Sequence, residues 1–396
     1  MPNATEPRTS LRLAAGLALG VVVSLGLARF AYSLVLPSMR DDLGWSNAQA
    51  GTMNTVNAAG YLVGAIASAL AYKRYGVRAG FIAGMALATL AVSGAALTSS
   101  YGAQLALRLV TGVASALTFI GGGALTAQLG RRDPERGGAL LAVYVAGAGI
   151  GVVLSGLVVQ PILATGGGAW RGAWLALGAL CLLATLLVVP TLRRVAEPGR
   201  AAPGEWSWRL LTRSPRLAVP AAAYLLFGAG YIAYVTFVVA YLHDHGTSAL
   251  GITVFWSTFG LAVLAGVPLW GRLLDRLSAG RCLALMNLVL VVGALVPLLG
   301  GSPAAGLASA VLFGSAFMNV PAGMVHIART RLPEPAWTGA IASFTVAFAL
   351  GQVGGPALAG VLSDRAGGTG AGLALAAGIL AVSAAAYLAG ERWAPG

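Results

Sequence analysis

The second half of the sequence is a weak copy of the first, displaced by about 202 residues. The anchors that share this offset lie far apart along the chain, and they pair Asp42 with Asp244, Gly44 with Gly246, Ser46 with Ser248, Tyr32 with Tyr234 and Gly112 with Gly314. One offset shared by separated anchors indicates an internal duplication. Whatever the first half folds into, the second half is therefore expected to repeat.

Apolar segments recur along both copies. Of the 396 residues, 58% are hydrophobic and 9% are charged, whereas a soluble domain carries about 25% charged residues. A helix that crosses a bilayer needs about 20 apolar residues. Segments of this kind lie near residues 11–37, 47–71, 77–98, 101–129, 138–164, 172–190, 217–242, 250–270, 282–300, 304–327, 339–362 and 371–390. The sequence predicts an all-α integral membrane protein with twelve transmembrane helices in two pseudo-symmetric six-helix bundles.

The net charge of +13 could indicate a nucleic-acid partner, but its distribution argues otherwise. Twenty of the 25 Lys and Arg residues fall on one side of the predicted membrane, and only Arg40, Arg171 and Arg365 fall on the other. An excess of basic residues marks the cytoplasmic side, so both termini are predicted to be cytoplasmic, and the Arg-rich, Ala-rich composition suits a bacterial inner membrane. A nucleic-acid-binding protein would instead gather its basic residues on one folded face.

One long polar connection, rich in Pro, Gly and Arg, divides the sequence. It predicts an N-terminal bundle over residues 1–192, a cytoplasmic linker over 193–215 and a C-terminal bundle over 216–396. The first apolar segment is long enough to span and is predicted to remain as helix one rather than to be cleaved as a signal. Duplicated halves of this kind are typical of secondary carriers, whose substrate site lies between the repeats near the bilayer midplane. A monomer is expected, since this architecture requires no partner chain.

Several motifs resemble those of the major facilitator superfamily. The turn over residues 271–276 resembles the superfamily's loop between helices eight and nine, Arg108 with Gly112 resembles its fourth-helix motif, and residues 355–364 resemble the end of its eleventh helix. The run over residues 26–39 resembles the YbfB/YjiJ branch. The resemblance covers essentially the whole chain. It implies a carrier that works by rocking alternating access, with a small-molecule substrate and the lipid bilayer as partners.

The turn between helices eight and nine offers a candidate latch. An acid and arginines at the ends of two helices can form charge-assisted hydrogen bonds between the halves and interact with the helix dipoles. Because Lys73 stands where the resemblance expects an acid in the first copy, Asp275 and Arg276 are the predicted gating residues. The alternative is that the basic residues of this turn only set the topology.

Arg29 and Arg108 are the two basic residues predicted to lie inside spans. A charge there costs at least about 2.5 kcal/mol, and all twelve acidic residues lie in loops, tails or span ends. A guanidinium suits carboxylate, sulfonate or phosphate oxygens, so Arg29 is predicted to anchor a small organic anion, the leading substrate class. The alternatives are snorkelling and pairing with helix-end carbonyls or with Asp41 or Asp42. For Arg108 a structural or gating role is favoured.

The repeat aligns Arg29 with Tyr231, which makes the first half cationic and the second half aromatic. Tyrosine hydroxyls can bond substrate oxygens while the rings cover a carbon skeleton, although tyrosines at helical spacing also serve as packing. The predicted substrate-binding residues are Arg29, Tyr32, Asn54, Asn57, Tyr61, Tyr231, Tyr234, Trp256, Asn319 and Gln352.

The coupling of transport is constrained by the position of the acids. Proton-driven carriers commonly use a buried Asp or Glu as a relay, and the sequence places none inside a span. His326, near the cytoplasmic end of helix ten, is the deep group that titrates near neutral pH, and it is a candidate for proton coupling, with packing as the alternative. Substrate protonation, exchange for a counter-anion and uniport are the other possibilities.

Other patterns carry little chemistry. The glycine-rich run over residues 147–151 follows no strand, so it predicts close helix packing rather than a phosphate loop. The same run lacks the Gly-Pro pair that many drug antiporters of the superfamily carry, which disfavours the alternative function, export of amphipathic drugs or metabolites. His243, Asp244 and His245 resemble a metal-binding cluster, but His243 and His245 are two residues apart on a helix and do not share a face. No metal site, cofactor or catalytic constellation is predicted, and the chain is not expected to be an enzyme.

Overall fold

The fold is helical throughout the described part of the chain. A computed structural model describes residues 7–198, 211, 215–300 and 302–393. Its membrane-spanning helices are α1 Thr9–Leu43, α2 Asn47–Tyr75, α3 Val77–Leu97, α4 Tyr101–Arg132, α5 Pro134–Leu163, α6 Trp170–Arg194, α7 Pro215–Asp244, α8 Ala249–Leu274, α9 Ala279–Leu299, α10 Pro303–Arg331, α11 Trp337–Arg365 and α12 Gly370–Gly390. The predicted all-α fold with twelve spans is confirmed. Most of the predicted linker, residues 199–210 and 212–214, lies outside the described residues.

Two helices depart from regular α geometry near the predicted site residues. α1 contains a nine-residue π-helical segment, Val22–Phe30, and Ala31 N donates to Gly26 O at 3.0 Å. α10 is interrupted between Phe317 and Val320. π-helical segments are rare and occur frequently at functional sites. The backbone of α1 is therefore irregular at the segment that carries the predicted anion anchor.

The chain forms two compact units. Unit 1 comprises Met1–Ser38 and Gly60–Ala202, and unit 2 comprises Met39–Ala59 and Pro203–Gly396. The end of α1 and the beginning of α2 thus group with the helices of the second half. The bundle boundaries predicted from the sequence, 1–192 and 216–396, stay a prediction.

The turns that follow α1 and α7 explain why the repeat anchors share one offset. Gly44 and Gly246 have φ of 66° and 76°, a backbone conformation that favours glycine. Ser46 and Ser248 then directly precede α2 and α8, and each hydroxyl accepts a hydrogen bond from the backbone N–H three residues later, at 3.2 Å. Each half therefore uses the same turn and the same N-terminal cap.

Glycines allow α1 and α5 to approach closely within unit 1. A Cβ added at Gly151 would lie 2.8 Å from Gly26 Cα and 2.8 Å from Val22 O. Small residues permit this kind of backbone approach between membrane helices. The close helix packing predicted for residues 147–151 is confirmed.

Candidate functional site

Arg29 lies in the π-helical segment of α1 and is buried, with 4% of its surface exposed. Its Cζ lies 5.0 Å from the centroid of the Tyr61 ring, a distance at which a guanidinium is attracted to an aromatic face. Tyr61 is the central residue of α2. Since α1 continues to Leu43 rather than ending near Pro37, Arg29 lies about 21 Å from that end at 1.5 Å per residue. Arg29 therefore lies near the middle of α1.

Arg108 of α4 bonds to the same segment of α1. Its Nη1 donates to Ala28 O at 3.0 Å, and its Cζ lies 4.6 Å from the centroid of the Tyr32 ring. Two turns further along α4, Ser115 Oγ donates to Ser24 O at 2.9 Å. Side chains of neighbouring helices commonly satisfy carbonyls at helix irregularities in membranes. α4 thus bonds two carbonyls of the π-helical segment, and Tyr32 packs on Arg108.

The predicted asparagines of α2 lie in the part of that helix that belongs to unit 2. Asn54 Nδ2 donates to Thr236 Oγ1 of α7 at 2.8 Å. The adjacent Thr55 Oγ1 donates to Val353 O of α11 at 2.8 Å. Asn57 is buried. Asn54 and Thr55 therefore connect α2 with α7 and α11.

In unit 2, Tyr231 and Gln352 form a polar pair near the middle of their helices. Tyr231 Oη donates to Gln352 Oε1 at 3.0 Å, and both side chains are buried. At 1.5 Å per residue, Tyr231 lies about 20 Å from the nearer end of α7 and Gln352 about 20 Å from the nearer end of α11. The structure therefore brings together two of the predicted site residues at the centre of their helices.

Tyr231 belongs to an aromatic column that consists of Tyr224, Phe227, Tyr231, Phe317 and Phe348. The rings lie nearly parallel. Tyr231 is 5.7 Å from Phe348 at 8° and 5.1 Å from Phe227 at 18°. Tyr224 is 4.7 Å from Phe348 at 13°, and Phe317 is 5.8 Å from Tyr231 at 21°. The column joins α7, α10 and α11 around the Tyr231 ring.

Tyr234, one turn after Tyr231, has different neighbours. Its Oη lies 2.6 Å from Ser309 Oγ, and its ring lies 3.7 Å from the Phe313 ring at 15°. Trp256 of α8 is also buried, and it stacks on Phe259 at 5.4 Å and 7°. Tyr231 therefore contacts both α10 and α11, whereas Tyr234 bonds and stacks on residues of α10.

The remaining predicted residues lie apart from these clusters. Asn319 sits at the interruption of α10, and its Nδ2 donates to Ser315 O at 2.9 Å. His326 is half-buried on the following segment of α10. Asp275 and Arg276 are exposed at the end of α8, and neither takes part in an ion pair among the described residues. The predicted latch role of these two residues and the coupling role of His326 stay predictions.

Sequence reasoning missed a polar cluster at the end of unit 2 where α1 meets α2. The guanidinium of Arg40 binds the carboxylate of Asp244 through two hydrogen bonds. The carboxylate of Asp364 accepts from Asn47 N at 2.8 Å and from Ala48 N at 2.9 Å. Asp244 is an anchor of the sequence repeat and Asp364 ends the motif over residues 355–364, and these signals could have singled them out. Arg40 was considered only as a marker of topology.

Side chains that could bind a metal ion do not form a cluster in the described ranges. No group of three His, Cys, Asp or Glu side chains is placed there to hold a metal ion. His245 Nδ1 lies 2.8 Å from Tyr241 O. Cys181 and Cys282 are buried thiols that form no disulfide.

Comparison with known proteins identifies the family. The profile of the family described as "Uncharacterised MFS-type transporter YbfB" matches residues 21–388. The chain belongs to this family. It is consequently a multi-pass membrane transporter of the major facilitator type, as the sequence motifs predicted, and the family and fold are those of transporters rather than enzymes.

The chain is also similar to individual proteins. The chain is 30% identical over 286 residues to a chloramphenicol resistance protein of Streptomyces lividans, which covers 69% of each chain. It is 31% identical over 206 residues to the purine ribonucleoside efflux pump NepI of Shigella sonnei, which covers 50% of each chain. A crystal structure of a mutant of the nucleoside transporter NupG superposes with a TM-score of 0.79 at 14% identity, covering 96% of this chain and 99% of that one. The last similarity concerns the fold alone.

Proposed function

We propose that the protein exports small polar organic molecules that carry a planar aromatic ring, across a bacterial cytoplasmic membrane, by rocking alternating access. The observation that carries the proposal is the Tyr231–Gln352 hydrogen bond inside the aromatic column. Carriers with duplicated halves bind their substrates near the midplane. Aromatic rings stack on a planar ligand, and phenol and amide groups recognise its polar edge.

The relatives support export of such molecules. One is named as a chloramphenicol resistance protein and another as a purine ribonucleoside efflux pump. Both names refer to compounds that combine an aromatic ring with polar groups. The basic residues on one side of the membrane support a topology with both termini in the cytoplasm.

A thermal-shift and efflux experiment tests the proposal. Purified protein is screened with adenosine, chloramphenicol, benzoate and tetraphenylphosphonium, because a ligand that binds only the folded protein raises its unfolding temperature. We expect adenosine or chloramphenicol to stabilise the wild type, and Tyr231→Phe and Gln352→Ala to weaken that ligand's affinity about tenfold, as expected for one lost hydrogen bond. The matched control is Tyr241→Phe on the same helix, whose hydroxyl donates to Pro297 O at 3.2 Å. Equal affinity in all variants would contradict the proposal.

A second candidate function is transport of a carboxylate-type organic anion with Arg29 as the anchor. The observation that favours it is a buried guanidinium against Tyr61 at the middle of α2. A guanidinium presents a planar fork to a carboxylate, which a lysine cannot reproduce. If this candidate is right, benzoate stabilises the wild type, and Arg29→Lys and Arg29→Gln both lose the effect. Arg171→Gln serves as the control, since Arg171 packs on Trp170 at a helix end. Stabilisation by benzoate that survives both Arg29 substitutions would exclude the anion anchor.

A further inference from the structure

Two hydroxyls on α1 are buried without a hydrogen-bond partner in the described part of the chain. Ser24 and Ser33 are both fully buried, and the Oγ atom of each has no partner there. In the same unit, Thr111, Thr118 and Thr126 of α4 each donate to the carbonyl four residues earlier. An unpaired buried hydroxyl is unfavourable and calls for an explanation.

The backbone of α1 explains why Ser33 differs from the threonines of α4. A helical serine usually bonds the carbonyl three or four residues earlier. For Ser33 those carbonyls belong to Arg29 and Phe30, where the π-helical segment ends. The transition back to α geometry is marked by Ala31 O, which accepts from both Leu34 N and Val35 N. The usual bonding geometry is therefore disturbed on this stretch.

The register places the two hydroxyls on the same side of α1 as Arg29. Residues five apart lie one turn apart in a π-helix, which relates Ser24 to Arg29. Residues four apart lie one turn apart in an α-helix, which relates Arg29 to Ser33. Ser24, Arg29 and Ser33 thus form one polar stripe, which begins where Ser115 of α4 bonds Ser24 O.

We infer that Ser24 and Ser33, with Arg29 between them, bind an oxygen-bearing group of the transported molecule. A hydroxyl can both donate and accept, whereas a guanidinium only donates. The stripe therefore suits a group rich in oxygen, such as the hydroxyls of a ribose or a carboxylate. The inference rests on the proposed transport of a small organic molecule, and it adds the binding residues on unit 1 and the chemical group that they recognise.

Substitution of the two serines separates ligand binding from folding. In Ser24→Ala and Ser33→Ala we expect the unliganded protein to unfold at the same or a higher temperature, because an unpaired hydroxyl is removed. The Kd of a ligand that uses the stripe should rise about tenfold in each variant. Ser115→Ala is the control, since this serine is paired and its loss should lower the unfolding temperature of the unliganded protein. An unchanged Kd for every probe in both variants would overturn the inference.

The choice of probes distinguishes the two oxygen sources. Adenosine is compared with adenine, which lacks the ribose, and benzoate is compared with benzamide, which lacks the charge. If the serine variants lose affinity for adenosine but not for adenine, the stripe binds the ribose hydroxyls. If the serine variants lose affinity for benzoate but not for benzamide, the stripe binds a carboxylate. Either pattern supports the stripe as a binding site.

A thiol-labelling experiment needs no ligand and keeps failure of the two proposals distinguishable. Cys181 and Cys282 are buried, so they give a low background for a charged methanethiosulfonate reagent. We expect the thiol introduced by Ser33→Cys to be modified in membranes, because a substrate site must open to water during transport, whereas that of Ser115→Cys stays unmodified. If Ser33→Cys is modified but no probe stabilises the wild type, the proposed substrate chemistry fails and the stripe stands. Protection of the thiol at position 33 would refute the stripe.

Discussion

Arg40 of α1 and Asp244 of α7 form a two-point ion pair. Arg40 Nη2 lies 2.5 Å from Asp244 Oδ1, and Nη1 lies 3.2 Å from Oδ2. Thr369, just before α12, donates to Asp244 Oδ2 at 3.1 Å, and Asn47 Oδ1 accepts from Arg40 Nη1 at 3.3 Å. Paired parallel hydrogen bonds are the strong form of an ion pair. Unit 2 therefore holds the ends of α1, α2, α7 and α12 together through one charge pair.

We expect Arg40→Gln and Asp244→Asn each to lower stability, and their effects to be non-additive. Both side chains are partly exposed, at 15% and 28%, so a coupling energy of about 1 kcal/mol is expected from a double-mutant cycle. The charge-reversed double variant Arg40→Asp with Asp244→Arg should recover part of the loss. The measurement is the unfolding temperature in detergent.

Arg365→Gln is the control for this cycle, since Arg365 is exposed at the end of α11 and makes no ion pair among the described residues. It should leave the unfolding temperature unchanged. Additive effects of the Arg40 and Asp244 substitutions would show that the pair contributes nothing beyond its separate residues.

Asp364 caps α2 from α11, and its removal should destabilise the beginning of α2. Its two carboxylate oxygens accept from Asn47 N and Ala48 N, which would otherwise be unsatisfied at the helix N-terminus. We expect Asp364→Ala to cost about 1 kcal/mol, in line with other caps, and Asp364→Asn to cost less because one acceptor oxygen remains. Hydrogen exchange at the backbone amides of residues 47 and 48 should rise in Asp364→Ala. Equal protection in the wild type and in Asp364→Ala would mean that the cap is dispensable.

The sequence predicts the spans well because each membrane helix must be apolar along its whole length. It places Arg29 inside a span for the same reason, and it pairs Asp244 with Asp42 through the repeat. It could not give the partner of Asp244, because Arg40 lies 204 residues away and only tertiary packing joins them. Nor could it show that Tyr231 bonds Gln352 of α11 while Tyr234 bonds Ser309 of α10, since that depends on the rotation of α7.

The π-helical segment of α1 escaped prediction for a related reason. Val22–Phe30 reads as an ordinary apolar run, and no residue in it marks a change of helix type. The donors Arg108 and Ser115 lie on α4, and their distance in sequence from Ala28 and Ser24 hides the relationship. Only the packed structure reveals that α4 bonds the carbonyls of this segment.

Gly151→Ala should disrupt unit 1. The added Cβ would meet the backbone of α1 at Gly26 and Val22, both 2.8 Å away, and a backbone cannot rotate aside as a side chain can. Overpacking of this kind typically costs about 1–3 kcal/mol. The matched control is Gly378→Ala in α12, where nothing lies within 4 Å of the added Cβ and alanine is the better helix former.

The measurement for these glycine variants is the yield of folded protein and its unfolding temperature. We expect Gly151→Ala to lower both, and Gly378→Ala to leave them unchanged or slightly higher. A Gly151→Ala protein as stable as the wild type would mean that α1 and α5 can separate without loss.

Each half of the chain uses the acid that follows its sixth helix to bind the beginning of its third helix. Glu197, shortly after α6, accepts hydrogen bonds from Val77 N and Arg78 N at the start of α3, the latter at 3.3 Å. Glu391, directly after α12, accepts from Ser278 Oγ, which precedes α9, and its carboxylate lies 3.7 Å from Arg331. A negative charge at a helix N-terminus interacts favourably with the helix dipole.

We therefore expect Glu197→Gln and Glu391→Gln each to lower stability by about 0.5–1 kcal/mol, because glutamine keeps the shape but loses the charge. The controls are Glu135→Gln and Glu334→Gln, two exposed acids, the first in the opening turn of α5 and the second in the short turn before α11. High salt should reduce the loss of stability caused by Glu197→Gln and Glu391→Gln, since exposed charge interactions are screened. Measured unfolding temperatures at low and high ionic strength would test both statements. If all four variants unfold at the same temperature, Glu197 and Glu391 stabilise the protein no more than any surface charge. Each bundle would then be held together by packing between its helices alone.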